Sequence, residues 1–180
     1  RYCFNGIREN IYGDTFALLC ELVIDYKDGR SVTIVSDESW KASPGPVLFS
    51  NIYDGEVWDA NKVISGWSKP GCEDGLWSGV RLENVGFNRL EARWSIPVRI
   101  MEEMKPSRVI KTPKGETVLD MSQNMVGWLR FKVNVPKGTR ITLQYGEEMQ
   151  EGCFYRENLR TAKAEFHYIS DGKPAVIQPH

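Results

Sequence analysis

Three carboxylates and two large aromatics crowd around one glycine in Asn51-Ile-Tyr-Asp-Gly-Glu-Val-Trp-Asp-Ala-Asn61. Asp54 and Glu56 stand two apart and Asp59 three further on, a set that could offer oxygens to a hard cation or a carboxylate pair to a glycosidic bond. Tyr53 and Trp58 could wall a sugar, because aromatic faces stack on its C–H faces. The spacing is not diagnostic. A calcium loop alternates more oxygen donors, and a glycosidase holds its two carboxyls apart on opposing walls, which neighbouring loop positions seldom do. The plainer reading is structural: the segment is too irregular for a strand, its carboxylates bond loop amides, and Tyr53 and Trp58 are buried as lids on a β-sandwich.

Two further polar clusters could line a cleft. One is Asp120-Met-Ser-Gln-Asn124 followed by Gly127-Trp128, and the other is Glu147-Glu148 after Gly146. Their structural reading has Asp120, Gln123 and Asn124 capping a loop between strands, and Glu147 or Glu148 pairing with Arg156 or Arg160. The candidates for carbohydrate contact, or for facing a neighbouring domain, are therefore Tyr53, Glu56, Trp58, Asp59, Asp120, Asn124, Trp128 and Glu147. Six tryptophans are many for this length, although at least four are expected to fill gaps between short strands rather than bind.

Other chemistries lack their residues. Nucleophilic triads need a histidine, but His167 sits in a strand pattern and His180 is the last residue. Cys3, Cys20, Cys72 and Cys153 are widely spaced without a C-x-x-C, so no thiolate metal site is expected. Cys20 reads as a buried free thiol. Glycines are turn-spaced, with neither a dinucleotide fingerprint nor a phosphate loop, so no cofactor is expected.

At 180 residues the chain suits one large β domain or two small ones. A charged content of 26% with net charge -1 gives no basic excess to attract nucleic acid or an anionic membrane. The longest apolar run, Phe16 to Cys20, is far below the roughly 20 residues of a membrane span. The chain opens Arg1-Tyr-Cys-Phe and closes Gln178-Pro-His180, and both ends read as cuts through a longer protein.

The elements that must position these residues are strands. Thr15–Tyr26 predicts a long strand, Asp28-Gly29 a tight hairpin turn, and Ser31–Ser36 the returning strand. Val80–Leu82 and Leu90–Ile96 predict further strands, with Pro97 ending the second. A boundary near Lys105 divides residues 1–104 from 105–180. Beyond it, Arg108–Thr112 and Thr117–Asp120 form a hairpin around Pro113-Lys-Gly115. Gly127–Val135 alternates, with Leu129, Phe131, Val133 and Val135 inward. Pro136-Lys-Gly138 leads into Thr139–Tyr145, with Ile141, Leu143 and Tyr145 inward. Glu147–Lys163 is a short helix or loop, and Ala164–Ile169 resumes the strand pattern before a turn at Asp171-Gly-Lys173. The fold class is all-β: two β-sandwich, jelly-roll-like modules of antiparallel sheets, both truncated.

In its motifs the chain resembles the non-catalytic β-sandwich region of bacterial α-L-rhamnosidases, inverting glycoside hydrolases that release terminal rhamnose. The first part is similar at Phe4–Arg8, Asn10–Asp14, Asp28-Gly29, Asp37–Lys41 and Ile52–Ala60. The second is similar at Asp120–Trp128, Gly138, Tyr145–Met149, Gly152, Tyr155, Asn158–Arg160 and Tyr168. Where the family pattern carries an arginine after Ala60, this chain carries Asn61. The resemblance implies that catalytic carboxylates lie in a helical barrel following this region, so that the implied partners are that barrel and rhamnosylated glycans. A free-standing carbohydrate-binding module is the alternative, and a periplasmic or extracellular setting is favoured over the cytoplasm. On this reading Tyr53 and Trp58 pack at the sandwich edge, while Glu56 and Asp59 hold loop amides or face the barrel.

Overall fold

The computed structural model describes residues 15–84, 86, 88 and 90–179. The similarity motifs at Phe4–Arg8 and Asn10–Asp14, together with Cys3 and His180, lie outside the described residues. The first seven strands are β1 (Glu21–Asp25), β2 (Ser31–Val35), β3 (Lys41–Ala42), β4 (Val47–Asn51), β5 (Gly55–Asp59), β6 (Ser78–Gly79) and β7 (Arg108–Lys111). The remaining seven are β8 (Thr117–Asp120), β9 (Phe131–Val133), β10 (Arg140–Gln144), β11 (Glu148–Gln150), β12 (Cys153–Tyr155), β13 (Glu165–Ile169) and β14 (Ala175–Ile177). Two short 3-10 turns, Ala60–Lys62 and Glu157–Leu159, accompany them. No helix among the described residues is long and apolar enough to cross a membrane. The all-β reading holds.

The chain divides into two compact units, and they do not follow the linear order of the sequence. Unit 1 gathers residues 1–44 and 64–95, and unit 2 gathers 45–63 with 96–180. In unit 1, β1 and β2 form the expected antiparallel hairpin. Its turn closes through Gly29 N–H to the Tyr26 carbonyl (3.0 Å), and Gly29 takes φ +85°, a value that glycine reaches without a Cβ clash. The Asp28 carboxylate accepts the Arg30 amide at 3.1 Å, and the short pair β3 and β6 completes the unit's strands. The predicted Thr15–Tyr26 strand narrows to Glu21–Asp25, and Val80–Leu82 and Leu90–Ile96 form no strand in the described residues. Apolar alternation without a hydrogen-bonding neighbour does not make a ladder.

Unit 2 is a two-layer packing. One layer is a four-stranded sheet in the order β10-β13-β5-β4, and the other is the pair β14-β9. Between them lie Val133, Phe166 and Tyr168, almost wholly buried, with Trp58, Ala60, Phe131, Ile141, Leu143, Tyr145, Ala175 and Ile177 packed against them. Phe131 meets Phe166 edge to face, ring centroids 6.3 Å apart. The inward sets predicted for 129–135 and 141–145 are the half-buried and buried ones. The pairing differs from the prediction, however: Pro136-Lys-Gly138 is no hairpin turn, because β9 pairs with β14 and β10 with β13. That turn carries the chain from one layer to the other. Glu147–Lys163 holds a short 3-10 helix, Glu157–Leu159, but is not otherwise plain loop, since it also contains the β11–β12 hairpin. Sheets are antiparallel as expected except for β13 and β5, which run parallel.

Buried Ser170 ties the layer crossings together. Its amide donates to Thr139 O (3.0 Å) and its carbonyl accepts Gly138 N–H (2.8 Å). Its hydroxyl donates to Val135 O (3.2 Å) and accepts Gly172 N–H (2.9 Å). A buried polar residue so fully paired costs little to bury, yet it is sensitive to loss of any partner.

Candidate functional site

The stretch that draws attention in the sequence is not an irregular loop. Residues Gly55–Asp59 are β5, an interior strand with β13 on one side and β4 on the other. The local reason is that Asn51 closes a tight turn, its side-chain oxygen accepting the amides of Tyr53 (2.8 Å) and Asp54 (3.0 Å). Beyond the turn, Gly55 adopts φ +95°, and a Cβ there would sit 1.8 Å from the Glu165 carbonyl oxygen. Only glycine lets the two backbones approach this closely.

Register then sets which side chains face inward. Glu56 stands opposite Phe166 and Trp58 opposite Tyr168, so both join the core face. Glu56 is consequently 7% exposed, on the inner face of the sheet. Trp58 packs against the core cluster. Asp59 behaves as expected, capping the following 3-10 turn by accepting the Asn61 amide (3.0 Å) and Asn61 Nδ2 (2.8 Å). Asn61 also donates from Nδ2 to Ser170 O at 3.1 Å. The residue standing where the family pattern has arginine is thus an amide that binds Asp59. Tyr53 is 40% exposed at the turn rather than a buried lid, with its carbonyl accepting the Ala164 amide. Asp54 accepts the Lys163 amide at 3.2 Å.

Around Glu56 lies an open concavity of about 400 Å³, lined among others by Asn51, Glu56, Trp128, Tyr145, Glu165 and Phe166. Trp128 presents an indole that is 41% exposed. The Tyr145 hydroxyl is buried and makes no hydrogen bond of normal geometry among the described residues. Burial raises its pKa, the nearby Leu129 backbone opposes that rise, and the Glu56 carboxylate adds to it. On the opposite face Glu165 accepts Gln144 Nε2 (2.8 Å) and Arg156 Nη1 (3.2 Å), and its other oxygen meets His167 Nε2 at 2.9 Å. Burial alone would raise the Glu165 pKa, but the Gln144 and Arg156 hydrogen bonds and the Arg156 and His167 charges hold it below the ordinary value.

Of the residues singled out from the sequence, the fold brings Glu56 and Trp128 together at this concavity and leaves Tyr53, Trp58, Asp59, Asp120, Asn124 and Glu147 off its lining. Asp120 is engaged as a loop cap: it accepts the Ser122 amide (2.8 Å) and Arg108 Nε (2.7 Å). Those two contacts, the amide first, lower its pKa. Asn124 and Glu147 are exposed. Arg156, expected to pair with Glu147 or Glu148, pairs with Glu165 instead. Tyr145 and Glu165 are the site residues that sequence reasoning missed. Tyr145 was visible only as an inward-facing strand residue; Glu165 has one partner two residues along its own strand, His167, but Gln144 on β10 and Arg156 beyond β12 are not announced near it in the chain.

Chemically, the exposed Trp128 indole can stack on the apolar face of a ring, while the Glu56 side chain and the Tyr145 hydroxyl beside it are buried. Glu56 and Glu165 occupy successive registers, opposite Phe166 and Gly55, and therefore leave opposite faces of the sheet. That is not the arrangement of two carboxyls flanking one glycosidic bond. No group of three or more His, Cys, Asp or Glu side chains among the described residues is disposed to hold a metal ion. Cys20, Cys72 and Cys153 are free thiols; Cys20 is half-buried, not buried, and Cys153 is buried.

Comparison with known proteins accounts for the arrangement along the whole chain. Residues 1–102 match the alpha-L-rhamnosidase N-terminal domain, and residues 110–180 match the bacterial alpha-L-rhamnosidase concanavalin-like domain. The α-L-rhamnosidase of Streptomyces avermitilis is 39% identical over 165 residues, covering 90% of this chain but 16% of its own length. That of an Alteromonas species is 30% identical, over 91% of this chain and 18% of its own. Among solved structures, the Aspergillus terreus α-L-rhamnosidase superposes with a TM-score of 0.93 at 40% identity, over 99% of this chain and 21% of that one. The Streptomyces avermitilis enzyme, solved in complex with L-rhamnose, superposes with a TM-score of 0.83 at 35% identity, over 89% and 16%. The chain thus spans about a fifth or less of these relatives. Together, the two matched domains and the end-to-end superposition show that the chain belongs to the α-L-rhamnosidase family.

Proposed function

We propose that this chain is an accessory, non-catalytic β-sandwich region of an α-L-rhamnosidase that hydrolyses terminal α-L-rhamnose from glycosides, and that it braces the catalytic helical barrel of that longer enzyme. The observation that carries the reading is coverage: nearly all of this chain corresponds to about a fifth of a solved relative. The carboxylates that looked catalytic support it, because Asp54, Asp59 and Asp120 are engaged in turns and an ion pair. On this reading the isolated chain releases no product from an aryl α-L-rhamnoside. Sustained turnover that disappears in Glu56→Gln or Asp120→Asn overturns it. Sequencing the gene beyond His180 tests the bracing role directly: a run of amphipathic helices is expected, whereas a stop codon favours a free-standing module.

Carbohydrate contact is the second reading, favoured by the half-exposed Trp128 beside Glu56 and Tyr145. A rhamnose titration followed by tryptophan fluorescence checks it. A saturable change lost in Trp128→Ala supports binding; a flat response leaves the bracing role alone.

A further inference from the structure

The hairpin formed by residues 45–63 reaches unit 2 from outside that unit's continuous sequence, and we propose that it is a docked element: β13 presents a strand-accepting edge that binds this hairpin non-covalently and holds it without the chain connections at Pro44 and Val63.

The hairpin is complete in itself. β4 and β5 pair antiparallel, Asn51 closes their turn, and the Asp59 amide donates to Pro46 O at 2.8 Å at the open end. Its outer edge, along β5, then meets β13 through five consecutive parallel register pairs. Strand addition of this kind draws affinity from backbone hydrogen bonds and specificity from alternate side chains. Both are present. Before the ladder begins, the Ala164 amide donates to Tyr53 O (2.9 Å) and the Glu165 amide to Asp54 O (3.1 Å). At its far end Asn61 reaches Ser170 O, 109 residues away in sequence. Between them Glu56 is buried, and Trp58 and Ala60 pack against the core of Val133, Phe166 and Tyr168.

A tether of that length closes at a substantial entropic cost that grows only slowly with length, so it contributes little to choosing this partner or this register. The choice is made at the contact, and most sharply at Gly55, where a Cβ would lie 1.8 Å from the Glu165 carbonyl oxygen. A surface that selects its strand this way takes the same strand from a separate molecule.

The test uses the whole chain, with specific protease sites inserted after Pro44 and after Val63 and cut under native conditions. We expect the 45–63 peptide to co-elute with the 64–180 piece through a native size-exclusion run and to separate completely in denaturant. A labelled synthetic 45–63 peptide is incorporated when the cut protein is refolded from denaturant in its presence. Loss of the peptide within one native size-exclusion run, or loss of the native circular dichroism on cutting, overturns the proposal. Within the cut chain, Asn61→Ala is expected to release the peptide about tenfold faster, and Gly55→Val to release it outright. Gly45→Ala, where an added Cβ meets nothing within 4 Å, leaves retention unchanged. Retention of Gly55→Val as tight as that of the parent sequence also sinks the idea.

Discussion

The β1–β2 and β4–β5 hairpins are built by one local recipe and have different fates. Each pairs two five-residue antiparallel strands around a tight turn, one closed by Asp28 and Gly29, the other by Asn51. Yet Leu22, Val23, Val32 and Ile34 of the first stay roughly half exposed, whereas the second places Glu56 and Trp58 on the inner face of a packed sheet. Turn chemistry and alternation make a hairpin. Whether it becomes interior depends on a neighbour with a free edge and the right close-approach residue, and here that pair is β13 and Gly55.

Breaking the packed side separates the two most strongly. Phe166→Ala removes the centre of the unit 2 core and is expected to cost about 3–5 kcal/mol. Hydrogen exchange should show β5 and β13 amides losing protection while β1–β2 amides do not change; joint loss would mean that the two hairpins share one cooperative unit. Asn61→Ala leaves the buried Ser170 carbonyl and the Asp59 carboxylate each one partner short, for about 1–3 kcal/mol by chemical denaturation.

Acid sharpens the contrast. The Glu165 pKa is depressed in the folded state, so its contribution is fully present above the unfolded value near 4.5 and is lost as pH falls through the lower folded value. Thermal melts of Glu165→Gln should lack that acid-side decline, and one persisting unchanged would assign it to other carboxyls. The smallest effect belongs to the exposed hairpin: Arg30→Ala removes a solvent-exposed pair with Asp28 and a contact over the Tyr26 ring, for less than about 1 kcal/mol.

Much of unit 2 was legible because strand alternation is a local signal. Leu129, Phe131, Val133 and Val135, and then Ile141, Leu143 and Tyr145, were assigned inward from period two alone, and they are the shielded positions. Pairing was not legible. The Pro136-Lys-Gly138 turn looks like a hairpin turn, but whether flanking strands bond to each other or to distant partners depends on strands more than 20 residues further on. The opening stretch misled for a related reason: a glycine and three carboxylates read as loop composition, because β propensity reports fit to a surface that the sequence does not display.

By itself the sequence determined the strand-rich class, the turns at Asp28-Gly29 and Pro113-Lys-Gly115, the inward faces of the later strands, and the family, because turn geometry, alternation and ordered motifs are all properties of residues near one another in the chain. Only the tertiary structure decided that Glu56 is buried beside Tyr145, that Glu165 takes Arg156 rather than leaving it to Glu147 or Glu148, and that residues 45–63 belong with a sheet formed a hundred residues later. The first and third outcomes rest on contacts between distant segments and the second on how the chain folds back between β12 and β13, and no local pattern encodes the energy of either.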